Sequence, residues 1–98
     1  MTDEQKAKCK MIVDHYGIVS QRRQLIEECA ELIERLCKIE RFGETPEQKR
    51  ELFYEITDVE VMIEQIKQHY EYNTNKIIEY KLARQLDRIS KEAADSVP

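Results

Sequence analysis

The sequence predicts an all-α fold, a four-helix bundle formed by a single domain over residues 1–98. Only two glycines and two prolines occur in 98 residues, and this shortage of turn formers disfavours sandwiches and small barrels. Apolar residues recur every three to four positions along most of the chain, and no segment of useful length alternates as a strand does. Few reversals and helical periodicity together favour a small number of long helices.

A glycine separates the first two predicted helices. Thr2 and Gln5 are spaced as a capping box, so the first helix is expected to begin there and to end near His15–Gly17. Ser20 is predicted to cap the second helix, which continues until Gly43 stops it. The apolar stripe of this helix is predicted to be a core face and contains Leu25, Ile26, Cys29, Leu32, Ile33, Leu36 and Cys37.

The third helix has the clearest start signal in the chain. Thr45 supplies an N-cap, Pro46 suits the first helical turn, and Gln48 is placed as a capping-box partner. The helix is expected to end around Asn73. Its apolar row contains Leu52, Ile56, Val59, Ile63, Ile66 and Tyr70.

The fourth helix is predicted to open at Thr74 or Asn75 and to lose its pattern in the tail 96–98. Its apolar row contains Ile78, Leu82, Leu86 and Ile89. Helices two and three are joined only by residues 43–45, and so short a link predicts that they are antiparallel neighbours in the bundle.

Charge and cysteine content narrow the function classes. A net charge of −4 offers no general attraction to nucleic acid or to an anionic membrane. The chain has no apolar run of about 18 residues and its polar start lacks the hydrophobic stretch of a signal peptide, so a cytoplasmic protein is expected. The three cysteines, Cys9, Cys29 and Cys37, contain no Cys-x-x-Cys pair and are expected to be reduced, mostly buried thiols.

Two pairs of acids carry the chemical signal. Glu28 and Glu31 on helix two, and Glu55 and Asp58 on helix three, are each spaced i, i+3, which places both acids of a pair on one side of its helix. Both pairs are offset from the apolar stripes of their helices in the same rotational sense. Antiparallel packing would therefore bring all four acids to the same side of the helix pair, with Glu31 and Asp58 at almost the same height along the helix axes. Four close carboxylates repel unless a cation neutralises them, and an all-oxygen set suits Mg²⁺ or Mn²⁺ over Zn²⁺.

Other interpretations of these acids remain open at this stage. Chance alone produces Glu-x-x-Glu spacings in so acidic a helical protein, and a solvated acidic face is the competing interpretation. A di-iron bundle normally uses Glu-x-x-His pairs, and neither His15 nor His69 has an acid three residues earlier. Both histidines are therefore expected to be ordinary surface or core residues.

The acidic strings also resemble a known family. EECAEL, from Glu27, and EITDVEVMIEQI, from Glu55, are similar to the Glu-Glu-x-x-Glu and Glu-x-x-Asp signature of the MazG-like all-α nucleoside triphosphate pyrophosphohydrolases. The resemblance covers helices two to four. It implies a MazG-like bundle that cleaves a nucleoside triphosphate between its α and β phosphates, giving monophosphate and pyrophosphate. It also implies that the Mg²⁺ ligands are Glu28, Glu31, Glu55 and Asp58.

The convergent acids and a row of basic residues on helix four favour metal-assisted hydrolysis as the mechanism. Glu28 and Glu31 are the expected catalytic acids, with Glu28 completing the proton transfer from an attacking water. Glu27 matches the motif too, but it points away from the core stripe.

Three basic residues of helix four, Lys81, Arg84 and Arg88, form one row beside the apolar stripe and are expected to grip the phosphates. A solvated basic face is the alternative. Gln21, with Tyr16 and Ile18 before the acidic helix, is the candidate for contact with the base.

A homodimer or homotetramer is expected, because four short helices cannot readily enclose both a core and a triphosphate pocket. Helix four would then complete a neighbouring subunit's site. Two alternatives stand beside the enzyme: a noncatalytic helical homo-oligomeric interaction module, and a degenerate family member that binds metal without turnover.

Overall fold

The computed structural model describes residues 1–96, which form four helices and contain no strand. The helices are α1 (Asp3–Tyr16), α2 (Ile18–Phe42), α3 (Pro46–Tyr70) and α4 (Asn75–Asp95). The predicted all-α class and the number of helices are thereby confirmed. α4 ends at Asp95, directly before the predicted tail 96–98, and Val97 and Pro98 of that tail lie outside the described residues. Over residues 1–96, no helix combines the length and the apolar character that a membrane span requires.

Six of the eight predicted helix boundaries are confirmed, namely both ends of α1, the end of α2, the start of α3 and both ends of α4. The Thr2 hydroxyl accepts from the Gln5 backbone N–H at 3.1 Å, and the Gln5 side chain accepts from the Thr2 backbone N–H at 2.8 Å. Gly43 ends α2 at φ 86°, a backbone conformation that glycine adopts readily and that residues with a side chain rarely adopt. The Thr45 hydroxyl accepts from the Gln48 backbone N–H at 3.1 Å and so caps α3.

Two boundaries differ from the prediction. Ser20 does not cap α2, because the helix begins at Ile18, directly after Gly17, and this single glycine at φ 89° both ends α1 and precedes α2. The second helix therefore begins two residues before the predicted N-cap. α3 ends at Tyr70, three residues before the predicted Asn73, because Glu71 adopts a left-handed conformation at φ 54° and ψ 43°.

The packed part of the molecule consists of α3 with α1 and α2 against it. Gln21, near the start of α2, donates to Gln65, near the end of α3, at 2.8 Å. At the other end of this contact, Arg35 in the second half of α2 lies 3.7 Å from Glu51, near the start of α3. The buried apolar side chains of this core are few, namely Cys9, Val13, Val59 and Met62.

α4 packs against none of the other three helices within residues 1–96. Its apolar row is exposed, from 45% of Ile78 to 64% of Leu86. The radius of gyration is 17.6 Å, compared with about 13 Å for a compact domain of this length. The predicted placement of α4 in a four-helix core is therefore not found within a single chain, where α1 to α3 alone form the packed unit.

The predicted core stripe of α2 is divided between two faces. Leu25 and Leu32 are half-buried, whereas Ile26, Ile33 and Leu36 are exposed at 70%, 63% and 48%. Residues one position apart point about 100° apart on a helix, so one packed partner cannot cover the whole stripe.

The cysteine prediction is partly wrong. All three thiols are free, but only Cys9 is buried, while Cys29 and Cys37 are exposed on the uncovered part of α2. Burial raises the pKa of the Cys9 thiol, and the negative charge of Glu64 raises it further.

Candidate metal centre

Three carboxylates converge where α2 packs on α3. One oxygen from each of Glu28, Glu31 and Glu55 lies within 4.8 Å of the other two. Glu28 is half-buried, Glu31 is exposed, and Glu55 is buried, with 7% of its surface accessible. α2 supplies two acids from consecutive turns and α3 supplies the third from the facing surface, so the cluster depends on the helix–helix contact. We call Glu28, Glu31 and Glu55 the acidic cluster.

The innermost oxygens of the acidic cluster have no hydrogen-bond donor. Glu28 Oε1 accepts from the Gln24 side chain at 2.9 Å, but Glu28 Oε2 is buried without a partner among the described residues. Glu55 Oε1 is likewise buried and without a donor in residues 1–96. A buried carboxylate oxygen without a partner is costly, and either a proton or a cation would satisfy it.

The pKa values of Glu28 and Glu55 are shifted in opposite directions. Contact with the Glu28 carboxylate, then burial, then the negative charges of Glu28 and Glu31, raise the pKa of Glu55 to about 8. Hydrogen bonding with Glu55 lowers the pKa of Glu28, and the Gln24 amide lowers it further, against the effect of burial. Near neutral pH the Glu28–Glu55 pair therefore retains one proton, carried by Glu55 and shared with Glu28.

Asp58, the fourth predicted ligand, is not part of the acidic cluster. It is exposed and lines a separate cavity with Arg50, Phe53, Tyr54 and Thr57. Three residues after Glu55, Asp58 lies about 60° further around α3 and has the shorter side chain, which leaves its carboxylate on the outer edge of the helix. The structure thus brings together three of the four predicted acids.

The predicted basic row is distant from the acids within one chain. Lys81, Arg84 and Arg88 are exposed on α4, which packs against none of the other helices, and none of the three forms an ion pair with a described residue. The row and the acidic cluster therefore meet only if α4 of another copy, or a rearranged α4, approaches α2 and α3.

Gln21 has a structural partner in the fold. It is buried, with 7% of its surface accessible, and its Nε2 donates to Gln65 Oε1 at 2.8 Å, which joins α2 to α3. Of its two predicted neighbours, Tyr16 is exposed and Ile18 is half-buried. Gln65, with 2% of its surface accessible, was missed by the sequence analysis, since a polar side chain in a helix gives no local signal that it is buried.

Three further residues near the acids were also missed. Gln24, which donates to Glu28, could have been found from its i, i+4 spacing. The exposed rings of Phe53 and Tyr54 lie directly before Glu55 in the sequence, but nothing in the periodicity distinguishes them from ordinary surface aromatics.

As a chemical arrangement, the acidic cluster offers three hard oxygen ligands with two buried, unsatisfied oxygen atoms. Such a set fits Mg²⁺ or Mn²⁺, and binding requires Glu55 to release its proton. No protein-family model, curated protein or solved structure matches the chain.

Proposed function

We propose that the protein is a Mg²⁺-dependent nucleoside triphosphate pyrophosphohydrolase, which cleaves its substrate between the α and β phosphates. The observation that carries this proposal is the convergence of Glu28, Glu31 and Glu55 from two helices within 4.8 Å. The similarity of the acidic strings to the MazG-like signature supports the reaction class. In a solvated acidic face every carboxylate would be exposed to water, whereas Glu55 on α3 is buried.

The residues of the acidic cluster have separate tasks in this reaction. When bound, Mg²⁺ neutralises charge on the triphosphate and lowers the pKa of the attacking water. Glu31 and Glu55 would hold the metal from α2 and α3, and Asp58 would join them only if its side chain turned toward the acidic cluster. Glu28, oriented by Gln24, would have a free oxygen to accept the proton from the water once Glu55 has released the proton that the two carboxylates share.

We propose further that α2 and α3 form the antiparallel pair of a MazG-like bundle. Two hydrogen bonds at one end of the pair support this: Gln21 donates to Gln65, and Arg22 donates to the Tyr70 hydroxyl at 2.8 Å. At the other end, the Arg35 guanidinium lies 3.7 Å from the Glu51 carboxylate. Early residues of one helix thus meet late residues of the other.

Homo-oligomerisation, as a dimer or a tetramer, would complete both the core and the site. The exposed apolar row of α4 has no partner within the described chain, and α2 presents an apolar groove of about 590 Å³. The groove is lined by Arg22, Leu25, Ile26, Cys29, Ala30, Ile33 and Ile66. A second copy that covers these surfaces would bring the basic residues Lys81, Arg84 and Arg88 toward a neighbouring acidic cluster, where they would hold the phosphates.

The test is a panel of nucleoside triphosphates incubated with Mg²⁺ and assayed for pyrophosphate. At least one triphosphate is expected to give monophosphate and pyrophosphate, and Glu31→Ala and Glu55→Ala are expected to abolish turnover. Glu40→Gln, an exposed acid of α2 outside the acidic cluster, is the matched control and should retain activity. Absence of pyrophosphate from every triphosphate, or full activity in both alanine variants, would refute the proposal.

The exposed apolar row of α4 also favours a second candidate, a noncatalytic helical interaction module. Metal response separates the two candidates. The enzyme gains thermal stability from Mg²⁺, because a ligand bound only by the native state stabilises it. The module gains none, whereas a degenerate enzyme that retains metal gains stability but releases no pyrophosphate.

A further inference from the structure

The outer face of α3, next to the acidic cluster, carries a small aromatic cavity. Its volume is about 280 Å³, and its lining residues are Arg50, Phe53, Tyr54, Thr57 and Asp58. Phe53 is 62% exposed and Tyr54 is 69% exposed, so neither ring is part of the core. Pockets for whole ligands begin at about 300 Å³, which makes this cavity the right size for one planar ring system and too small for a complete nucleotide.

Asp58 connects the aromatic cavity to the acidic cluster along α3. It lies three residues after Glu55 and four after Tyr54, and side chains at both spacings are neighbours on a helix, about 5–6 Å apart at Cβ. An extended molecule with an anionic end and a planar end can therefore reach both places at once.

We propose that the aromatic cavity binds the nucleobase of the triphosphate, while the acidic cluster engages the phosphates through its metal. This inference rests on the proposed function and names the subsite that would recognise the base. Phe53 and Tyr54 offer aromatic faces against which a base stacks, whichever base it is.

Polar atoms at the cavity set the preferred edge of the base. Arg50 carries only donors and forms no ion pair with another residue of the range 1–96, so its guanidinium can donate to a base edge that presents acceptors. The Thr57 hydroxyl already donates to the Phe53 carbonyl oxygen at 2.7 Å, which leaves Thr57 only as an acceptor. The base subsite therefore differs from the one expected at Gln21, whose amide is buried and paired with Gln65.

The kinetic test compares the triphosphate with tripolyphosphate, which has the anhydride chain but no base. Tyr54→Ala and Phe53→Ala are expected to raise KM for the preferred nucleoside triphosphate at least about fivefold, as loss of one stacking contact does. The inhibition constant of tripolyphosphate as a competitor should stay within about twofold, because it makes no contact with the rings. Tyr80→Ala, which removes an equally exposed ring from α4, is the matched control and should change neither constant.

Equal changes in KM for the triphosphate and in the inhibition constant of tripolyphosphate, or no change in KM, would overturn the base subsite. Equal changes accompanied by a shift in sedimentation would assign Phe53 and Tyr54 to an interface between copies instead. In each case pyrophosphate release by the parent protein would still support the proposed reaction.

A binding test works even if the protein hydrolyses nothing. Saturation-transfer NMR with free nucleosides, in buffer without metal, should show transfer to the base protons in the parent protein and in Tyr80→Ala, and loss of that transfer in Tyr54→Ala. Transfer of equal strength in all three, or none in the parent protein, would contradict the inference. Transfer through Tyr54 in a protein that releases no pyrophosphate would preserve the base subsite and refute only the proposed reaction.

Discussion

Replacement of Glu55 by glutamine tests the geometry of the acidic cluster without disturbing its shape. The carboxyl is buried against Glu28 and Glu31, and its pKa is raised from 4.5 to about 8. Because the pKa of Glu55 is higher in the folded than in the unfolded state, its contribution to stability is complete below pH 4.5. This contribution is lost as the pH rises from 4.5 toward 8. The glutamine side chain is neutral at every pH, so the Glu55→Gln variant escapes this loss.

The size of the effect follows from the shift. Each pH unit between the unfolded-state and folded-state pKa values of Glu55 corresponds to about 1.4 kcal/mol in the free energy of unfolding. At pH 7 the gain of Glu55→Gln over the parent protein is therefore at most about 3 kcal/mol. Solvent reaches the exposed Glu31 and the half-buried Glu28, and its screening reduces the expected gain to about 1–2 kcal/mol. For a domain of this size, that gain raises Tm by about 5–15 °C.

The assay is thermal unfolding of metal-free protein between pH 4.5 and pH 8.5, followed by circular dichroism. The difference in Tm between Glu55→Gln and the parent protein should grow through this window and then level off. Glu60→Gln, an exposed acid on the same helix, is the control and should show no such trend. Saturating Mg²⁺ should narrow the difference, because ten times Kd stabilises the parent by about 1.4 kcal/mol and the variant has lost a ligand oxygen. A difference that does not vary with pH would refute the contact between Glu28 and Glu55.

Three further predictions concern packing and assembly. Val13→Ala removes two methyl groups from a fully buried position and should lower the free energy of unfolding by about 1–2.5 kcal/mol in urea titrations, whereas an unchanged midpoint would contradict the packing of α1 on α3. Gln65→Ala leaves the buried Gln21 amide without its partner and should cost about 1–3 kcal/mol, measured in the same way; a cost below about 0.5 kcal/mol would show that the pair contributes little. Leu82→Lys places a charge in the exposed apolar row of α4 and should shift sedimentation toward the monomer, while the neighbouring Ala83→Lys should not; identical behaviour of the two would exclude this row from an interface.

Helix boundaries were predictable wherever the signal is local. The Thr2 and Thr45 caps each involve atoms three residues apart, and Gly43 stops α2 by its own backbone conformation. The N-cap predicted at Ser20 was wrong because Gly17, three residues earlier, is a competing start signal. α2 begins directly after that glycine. The early end of α3 at Glu71 had no such signal, since a left-handed glutamate is uncommon.

The candidate site was predictable in part. The spacing of Glu28 and Glu31 placed them on one side of α2, and Glu55 meets them in the structure. Asp58 shares the spacing of its pair but not the cluster. The rotation of α3 places Glu55 at the contact with α2 and Asp58 about 60° away toward the outer edge, where its side chain, shorter than that of glutamate, does not join the other acids.

The amino-acid sequence by itself determined the helical class, the number of helices, most of their ends and the pairing of acids along each helix. These properties arise from interactions within three or four residues, which the order of the side chains already specifies. Only the tertiary structure decided that Glu55 is buried beside Glu28, that Gln21 is paired with Gln65, and that α4 remains uncovered within residues 1–96. Those outcomes depend on the rotation and height at which one helix meets another, and a periodic pattern leaves both undetermined.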